Sequence, residues 1–324
     1  MLTATVAETI ETLKICREME IAAPIEIAFE AVLEELGPGG QMPDGTPFPM
    51  KLEPWPGGGV WMEAVVQDAG GVWYGYFHNE VPAPACPGSV RQAPRIGAAR
   101  SRDRGRTWEV LGIVLEAPPS QADCATGNQY FDGGLGDLSV QLDAASQDLY
   151  IFYSAYPRFG FRQGVGVARM AWADRDAPAG RAMVWRSRAW LPASARAGVD
   201  GQVEYEYPLP TPVFPTREPF HDNDLVVDAY WGPSVHWNTY LQRYVMLLNR
   251  AKDEDFGQEG TYVSFAPTLS DPREWSVPVK VADGGLWYPQ AVGLQTGSGT
   301  DKTAGEYARY FQGGVSNHLI RFIR

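Results

Sequence analysis

The chain has 324 residues, 44% of them hydrophobic, which is ample for a large core, and its formal net charge of -12 repels a phosphate backbone and sets nucleic acid aside as a partner. No apolar run reaches the roughly 18–20 residues that a membrane span needs. Met1 to Cys16 carries Glu8 and Glu11 where a basic n-region would stand, so no signal peptide is visible and a cytoplasmic location is the default expectation. Trp 11, Tyr 15 and Phe 13 favour strands, and Gly 35 with Pro 26 predicts many tight turns. The three cysteines read as unpaired thiols, although Cys86 and Cys124 lie in loop-like segments and their pairing stays open.

In chain order, Arg17-Glu18-Met19-Glu20-Ile21 alternates like a strand. Apolar residues at 25, 29, 32, 33 and 36 then predict a helix that Gly37 and Pro38 end. Pro43-Asp44-Gly45 is turn chemistry, and Met50 to Gly58 follows. The run from Arg17 to Gly58 resembles the opening of a START-like domain of the Hsp90-ATPase-activator-homologue type. The sequence changes character at Gly59, before the curved sheet and long helix of such a domain. The resemblance therefore implies a short α/β fragment, residues 14–58 of an N-terminal segment 1–58, without the ligand cavity of that family.

Residues 59–324 read as short strands. Four passages share an inner-strand start, a turn and an aromatic-rich second strand: Glu63 to Phe77, Asp137 to Tyr153, Gly232 to Leu248, and Tyr288 onward to Phe311. Further strand pairs follow the first three, a pattern that builds the blades of a β-propeller. Ser101-Arg102-Asp103-Arg104-Gly105-Arg106-Thr107-Trp108 matches the Asp-box, S-x-D-x-G-x-T-W, and Ser270 to Trp275 is a degraded version. In such a turn the Asp accepts backbone N–H bonds and the Trp packs on the blade, so Asp103 is structural. The region resembles the five-bladed glycosidase-like propellers of glycoside hydrolase families 43 and 32 and sialidase-type repeat proteins. The expected fold is thus mainly β, a five-bladed β-propeller with about four blades visible.

That resemblance directs attention to carboxylates on inner strands, since glycoside hydrolysis needs two facing the scissile bond. It implies a base or nucleophile at Glu63 and a pKa-modulating acid at Asp137. Where the family places a Glu before Gly-Pro, this chain has Trp231-Gly232-Pro233, so Asp228 or Glu259 is left to supply the third acid. Candidate sugar contacts are Trp231, Trp287, Tyr288 and Gln290 near inner-strand starts, together with Trp237, His78, Asn79, Gln129, His236 and Arg250, the last as a fork for a substrate carboxylate. Each also fits blade packing or loop hydrogen bonding. The four histidines lack metal-ligand spacing, and no cofactor is expected; His221-Asp222-Asn223-Asp224 is an oxygen-rich loop that fits a structural Ca²⁺. Two functions compete: a glycoside hydrolase-like enzyme acting on an oligosaccharide or other small polyol, and a non-catalytic carbohydrate-binding or scaffold propeller.

Overall fold

The computed structural model describes residues 3–6, 51–198, 201–220, 227–295 and 299–324. Among them the chain is mainly β and forms a propeller arrangement of four blade sheets. The first strand, β1 (Thr3–Val6), does not start the first blade. Blade 1 is built from β2 (Lys51–Glu53), β3 (Gly59–Gln67), β4 (Trp73–Pro82), β5 (Gln92–Ser101) and β6 (Thr107–Leu115). Its order is β2-β6-β5-β4-β3, so β3 is innermost and β2 pairs in parallel on the outside of β6. Blade 2 contains β7 (Leu135–Asp143), β8 (Asp148–Ala155), β9 (Gly164–Ala171), β10 (Met183–Arg186) and β11 (Ala189–Pro192). A separate hairpin, β12 (Ser194–Ala197) with β13 (Val203–Glu206), follows it, and β14 (Phe214–Pro215) returns to pair with β9.

Blade 3 runs through β15 (Ala229–Asn238), β16 (Arg243–Ala251), β17 (Gln258–Ala266) and β18 (Val279–Asp283). Blade 4 has β19 (Gln290–Gly293) inside, while β20 (Thr303–Ala304) leaves to pair with β15 of blade 3. Blade 4 continues with β21 (Tyr307–Gln312) and β22 (Val315–Ile323), and β1 completes it by pairing antiparallel with β22, Thr3 opposite Ile323. The start of the chain is thereby stitched to its end.

The core lies between blades, and strand alternation explains it. Along β8, Leu149, Ile151 and Tyr153 join a cluster with Tyr76, Ile96 and Val114 of blade 1, while Tyr150 and Phe152 turn to Met246 and Leu248 of blade 3. Along β16, Val245 and Leu247 face the other way and meet Tyr310, Ile320 and Phe322 of blade 4. Strands covered on both faces read as near-continuous apolar runs, as Leu-Tyr-Ile-Phe-Tyr and Val-Met-Leu-Leu do here. Full burial of each such side chain contributes about 1.5–3 kcal/mol.

The turn from Ser101 to Trp108 joins β5 to β6. Asp103 accepts from the Thr107 N–H at 2.9 Å and the Thr107 hydroxyl at 2.6 Å, Gly105 sits at φ +90°, and the Trp108 indole donates to the Gly105 carbonyl at 2.8 Å. Only 1% of Trp108 is exposed. In the later counterpart, Asp271 caps a short 3-10 turn at Pro272–Glu274 and Trp275 is buried edge-on against Phe152.

Several expectations change. The four blades visible in the sequence are the blade sheets present among the described residues, and no fifth sheet of that kind occurs among them. The START-like reading, including its helix over 25–36, falls almost entirely on residues outside those described. Its two described flanks, β1 and β2, belong to blades 4 and 1, so blade 1 starts inside the expected N-terminal segment. The Ca²⁺ loop at 221–224 also lies outside the described residues. The free-thiol expectation is corrected at two of three cysteines. Cys86 and Cys124 form a disulfide with Cα atoms 5.2 Å apart. Long-range pairing brings them together: the Gln92 N–H donates to the Tyr130 carbonyl at 3.0 Å, and the Arg91 guanidinium meets Asp132 at 2.9 Å. No helix among the described residues is long and apolar enough to cross a membrane.

Candidate active site

The starts of the four inner strands gather on one face of the propeller. There they floor a cavity of about 500 Å³ lined from all four sides: Trp61 to Glu63 on β3, Asp137 to Ser139 on β7, Trp231 to Ser234 on β15, and Trp287 to Gln290 entering β19. Because β5 runs parallel to β3, the Ser101–Trp108 turn lies at the opposite face.

Glu63 and Asp137 come from different blades and meet on this floor. With His78 they form a trio in which one ligand-type atom from each lies within 4.8 Å of the others. The Leu138 N–H donates to Glu63 Oε2. The Asp137 N–H donates to His78 Nδ1 at 2.9 Å, and His78 Nε2 lies 3.3 Å from Glu80 Oε1. Asp137 receives two phenol hydroxyls, Tyr156 on Oδ2 and Tyr288 on Oδ1, the latter at 3.0 Å. Two residues of this constellation hold left-handed backbone, Asp137 at φ +45° and Tyr288 at φ +57°. Such strain costs of order 1–3 kcal/mol per residue and persists where the surroundings impose it.

Burial pushes the Glu63 carboxyl up, and the negative charges of Asp137 and Glu80 add to that against His78 and the Leu138 N–H, giving about 8. Glu63 is therefore a protonated acid at neutral pH. Burial disfavours the His78 imidazolium, but Glu80, Asp137 and Glu63 outweigh it and raise the imidazole's pKa. The Asp137 N–H opposes them. A proton on Nδ1 would set two donors against each other, so we assign the neutral tautomer with its proton on Nε2, facing Glu80. Burial and the nearby Asp137 carboxylate raise both phenols, Tyr156 and Tyr288, which stay donors at any ordinary pH.

The trio has the spacing of a cation site, yet its atoms are engaged. The Nδ1 lone pair accepts the Asp137 N–H, Glu63 accepts the Leu138 N–H, and both oxygens of Asp137 accept phenols. Coordination by the imidazole would break the bond from the Asp137 N–H, whereas the carboxylate oxygens keep further lone pairs beside the donors that they accept.

Of the residues singled out in the sequence, Glu63, Asp137, His78, Trp231, Trp287, Tyr288 and Gln290 line the cavity. Glu259 does not join them. It opens β17, two strands out from the axis, and is tied to Lys280 at 2.5 Å and the Tyr262 hydroxyl at 2.7 Å. Asp228 and Arg250 neutralise each other in a bidentate pair at 2.7 and 2.8 Å, so Arg250 offers no free fork. Asn79 is buried and spends its amide on the Gly57 and Gly59 carbonyls and on Arg95. His236 is fully buried between blades 3 and 4 against Phe322, where desolvation pushes it down to about 3. Gln129 is exposed and outside the cavity, and Trp237 packs on Tyr244.

Sequence reasoning missed Trp61, Phe256, Asp301 and Lys302 of the lining and Tyr156 beneath it, and it left Glu80 and Tyr130, beside the candidates Asn79 and Gln129, out of the site. Glu80 and Trp61 had a usable signal. They sit in the same inner strand pair as Glu63, with Trp61 opposite His78 in the ladder.

No family model matches the chain, and no curated protein matches it. Similar solved structures include a β-fructofuranosidase from Schwanniomyces occidentalis, 14% identical over 81% of this chain and 43% of that one, with a TM-score of 0.41. An inulosucrase from Halalkalicoccus jeotgali is 16% identical over 81% of this chain and 63% of its own, with a TM-score of 0.43. A Trypanosoma rangeli sialidase is 11% identical over 83% of this chain and 36% of its own, with a TM-score of 0.39. The chain thus spans less than two thirds of the length of each of these three.

Proposed function

We propose that the chain is a carbohydrate-active propeller with glycoside hydrolase-like chemistry on an oligosaccharide. The observation that carries this reading is the meeting of Glu63 and Asp137, from two blades, on the floor of an aromatic-walled cavity, where burial favours the protonated form of Glu63. Glu63 is the proton donor to the leaving oxygen. Asp137, fixed by two phenols, is the carboxylate that meets the developing positive charge at the anomeric carbon. Oxygen atoms within 4.8 Å leave no room between them for the water of an inverting enzyme, which needs carboxyl groups about 6.5–9.5 Å apart. That spacing favours retention.

The test is turnover of a panel of aryl-glycosides and oligosaccharides by the wild type, Glu63→Gln and Asp137→Asn. The expected result is cleavage that both variants lose, with the acid limb of the wild type falling as pH rises through about 8. Cleavage that survives in both variants sinks the assignment. One observation favours the non-catalytic alternative: blade 3 presents Trp231 to the cavity and no acid. That reading predicts a rise in Tm with an oligosaccharide and no turnover of any substrate.

A further inference from the structure

The charge and the walls of the cavity narrow its ligand, on the reading that the ligand is a sugar. Among the described residues four carboxyl groups line it, from Glu63, Glu80, Asp137 and Asp301, against one basic side chain, Lys302, whose ammonium lies 2.9 Å from Asp301. Two acids suffice for hydrolysis. Glu80 and Asp301 are surplus to it. The Glu80 side chain is 27% exposed and its carboxylate lies 3.3 Å from the His78 imidazole, and the Asp301 side chain is 34% exposed. Among the described residues no arginine lines the cavity, and Arg250, the anion fork expected from the sequence, is paired with Asp228.

The walls add a second, independent feature. Trp61 is 51% exposed, Tyr288 46% and Tyr130 40%, so three partly exposed aromatic residues line an acidic cavity. Aromatic faces attract a cation through the negative centre of the ring, and they stack on the C–H face of a pyranose equally well. Acids below and rings around suit a ligand that is a sugar on one face and a cation at one end.

We propose that the cavity selects a sugar bearing a protonated amine, and that it discriminates against sugars bearing a carboxylate. Glu80 supplies the charge that the amine meets, and Asp301 masks the Lys302 ammonium that would otherwise repel it. Among the described residues a carboxylated sugar would find no unpaired basic side chain in the lining, and it would meet the charges of Glu80 and Asp137.

Binding by isothermal titration calorimetry tests this with four disaccharides of matched size: a glucosamine dimer, its N-acetylated counterpart, a glucose dimer and a uronate-containing dimer. The expected order is amine first, by about tenfold over the N-acetylated and neutral sugars, with the uronate last. Raising ionic strength weakens only the amine. Glu80→Gln and Asp301→Asn each narrow the gap between the amine and its N-acetylated partner. Equal binding of those two, or preference for the uronate, overturns the inference and leaves the carbohydrate reading standing. If none of the four sugars and no wider oligosaccharide panel binds, the carbohydrate reading itself falls and this inference falls with it. The wild-type ranking decides the matter even where a variant fails to fold.

Discussion

Glu63→Gln should make the protein more stable at alkaline pH while abolishing its chemistry. The carboxyl is held at about 8 in the folded chain against an ordinary 4.5, chiefly by burial. Between those values the native state keeps a proton that the unfolded chain has lost. Native protein binds more protons there, so stability falls as pH rises, by at most about 1.4 kcal/mol per pH unit from this one group. Below pH 4.5 the penalty is absent; above 8 it is complete. Its full size is about 5 kcal/mol at about 1.4 kcal/mol for each tenfold displacement of the equilibrium, and relaxation around a side chain that is 19% exposed reduces it to about 2–5 kcal/mol. A Gln at this position keeps an oxygen for the Leu138 N–H and carries no charge to bury. Urea unfolding of wild type and variant at pH 5, 7 and 9 measures the difference. It should be small at pH 5 and should favour the variant by about 2–5 kcal/mol at pH 9. A difference curve that stays flat across that range would refute the burial argument and, with it, the assignment of Glu63 as the acid.

Three other outcomes follow from the packing. In Gly136→Ala the new Cβ would lie 2.5 Å from Cε1 and Nδ1 of His78, a ring that is only 3% exposed, so the ring must move and the Asp137 N–H must lose its acceptor. A cost of about 1–3 kcal/mol together with lost ligand affinity is expected, read by thermal unfolding and calorimetry; unchanged affinity would show that His78 does not hold the site. Replacing Cys86 and Cys124 by serine opens a loop of sequence separation 38, worth about 4 kcal/mol in the chain-entropy account, and denaturant unfolding with and without reductant checks it. Trp108→Ala removes a buried ring at the face away from the cavity, so stability should fall by about 3–5 kcal/mol while the ligand affinity of the folded fraction stays as it was.

The blades were legible because their strands are covered on both faces and follow one another closely. Leu149 to Tyr153 needs no partner to announce a core strand. What pairs with what across the chain was not legible. Nothing near Thr3–Val6 indicates that it will close a blade with β22, and nothing near Cys86 points to Cys124. Glu259 and Glu63 both read as strand-start carboxylates in the sequence, but only β3 is an inner strand, with Glu63 at its middle; β17 lies two places out, where Lys280 meets the carboxylate. His236 failed by depth. It shares β15 with the cavity residue Ser234, but deeper in the strand the same face looks to blade 4 and Phe322, while Val235 looks to blade 2. Arg250 failed for want of its partner, since the bidentate contact with Asp228 spans 22 positions.

The positions of the acids have a common cause that alternation alone does not supply. In β3 the ladder to β4 skips between Met62 and Ala64; in β7 the ladder to β8 skips between Gly136 and Leu138. The residues left unpaired are Glu63 and Asp137. A bulge leaves its extra residue out of the ladder and re-aims the side chain, and here both side chains turn to the cavity floor. Blade 3 repeats the device, with its ladder skipping between Trp231 and Ser234, but the residues it leaves out are Gly232 and Pro233. Gly232 sits at φ +54°, and a Cβ there would lie 2.4 Å from the Asn249 amide, the group whose oxygen holds the Tyr288 N–H at 3.1 Å. A side chain at Gly232 would therefore displace Asn249 and with it the strained Tyr288 that fixes Asp137. The bare backbone at Gly232 and the phenol clamp on Asp137 are two sides of one arrangement, while Trp231, one position earlier, stays in the ladder opposite Asn249.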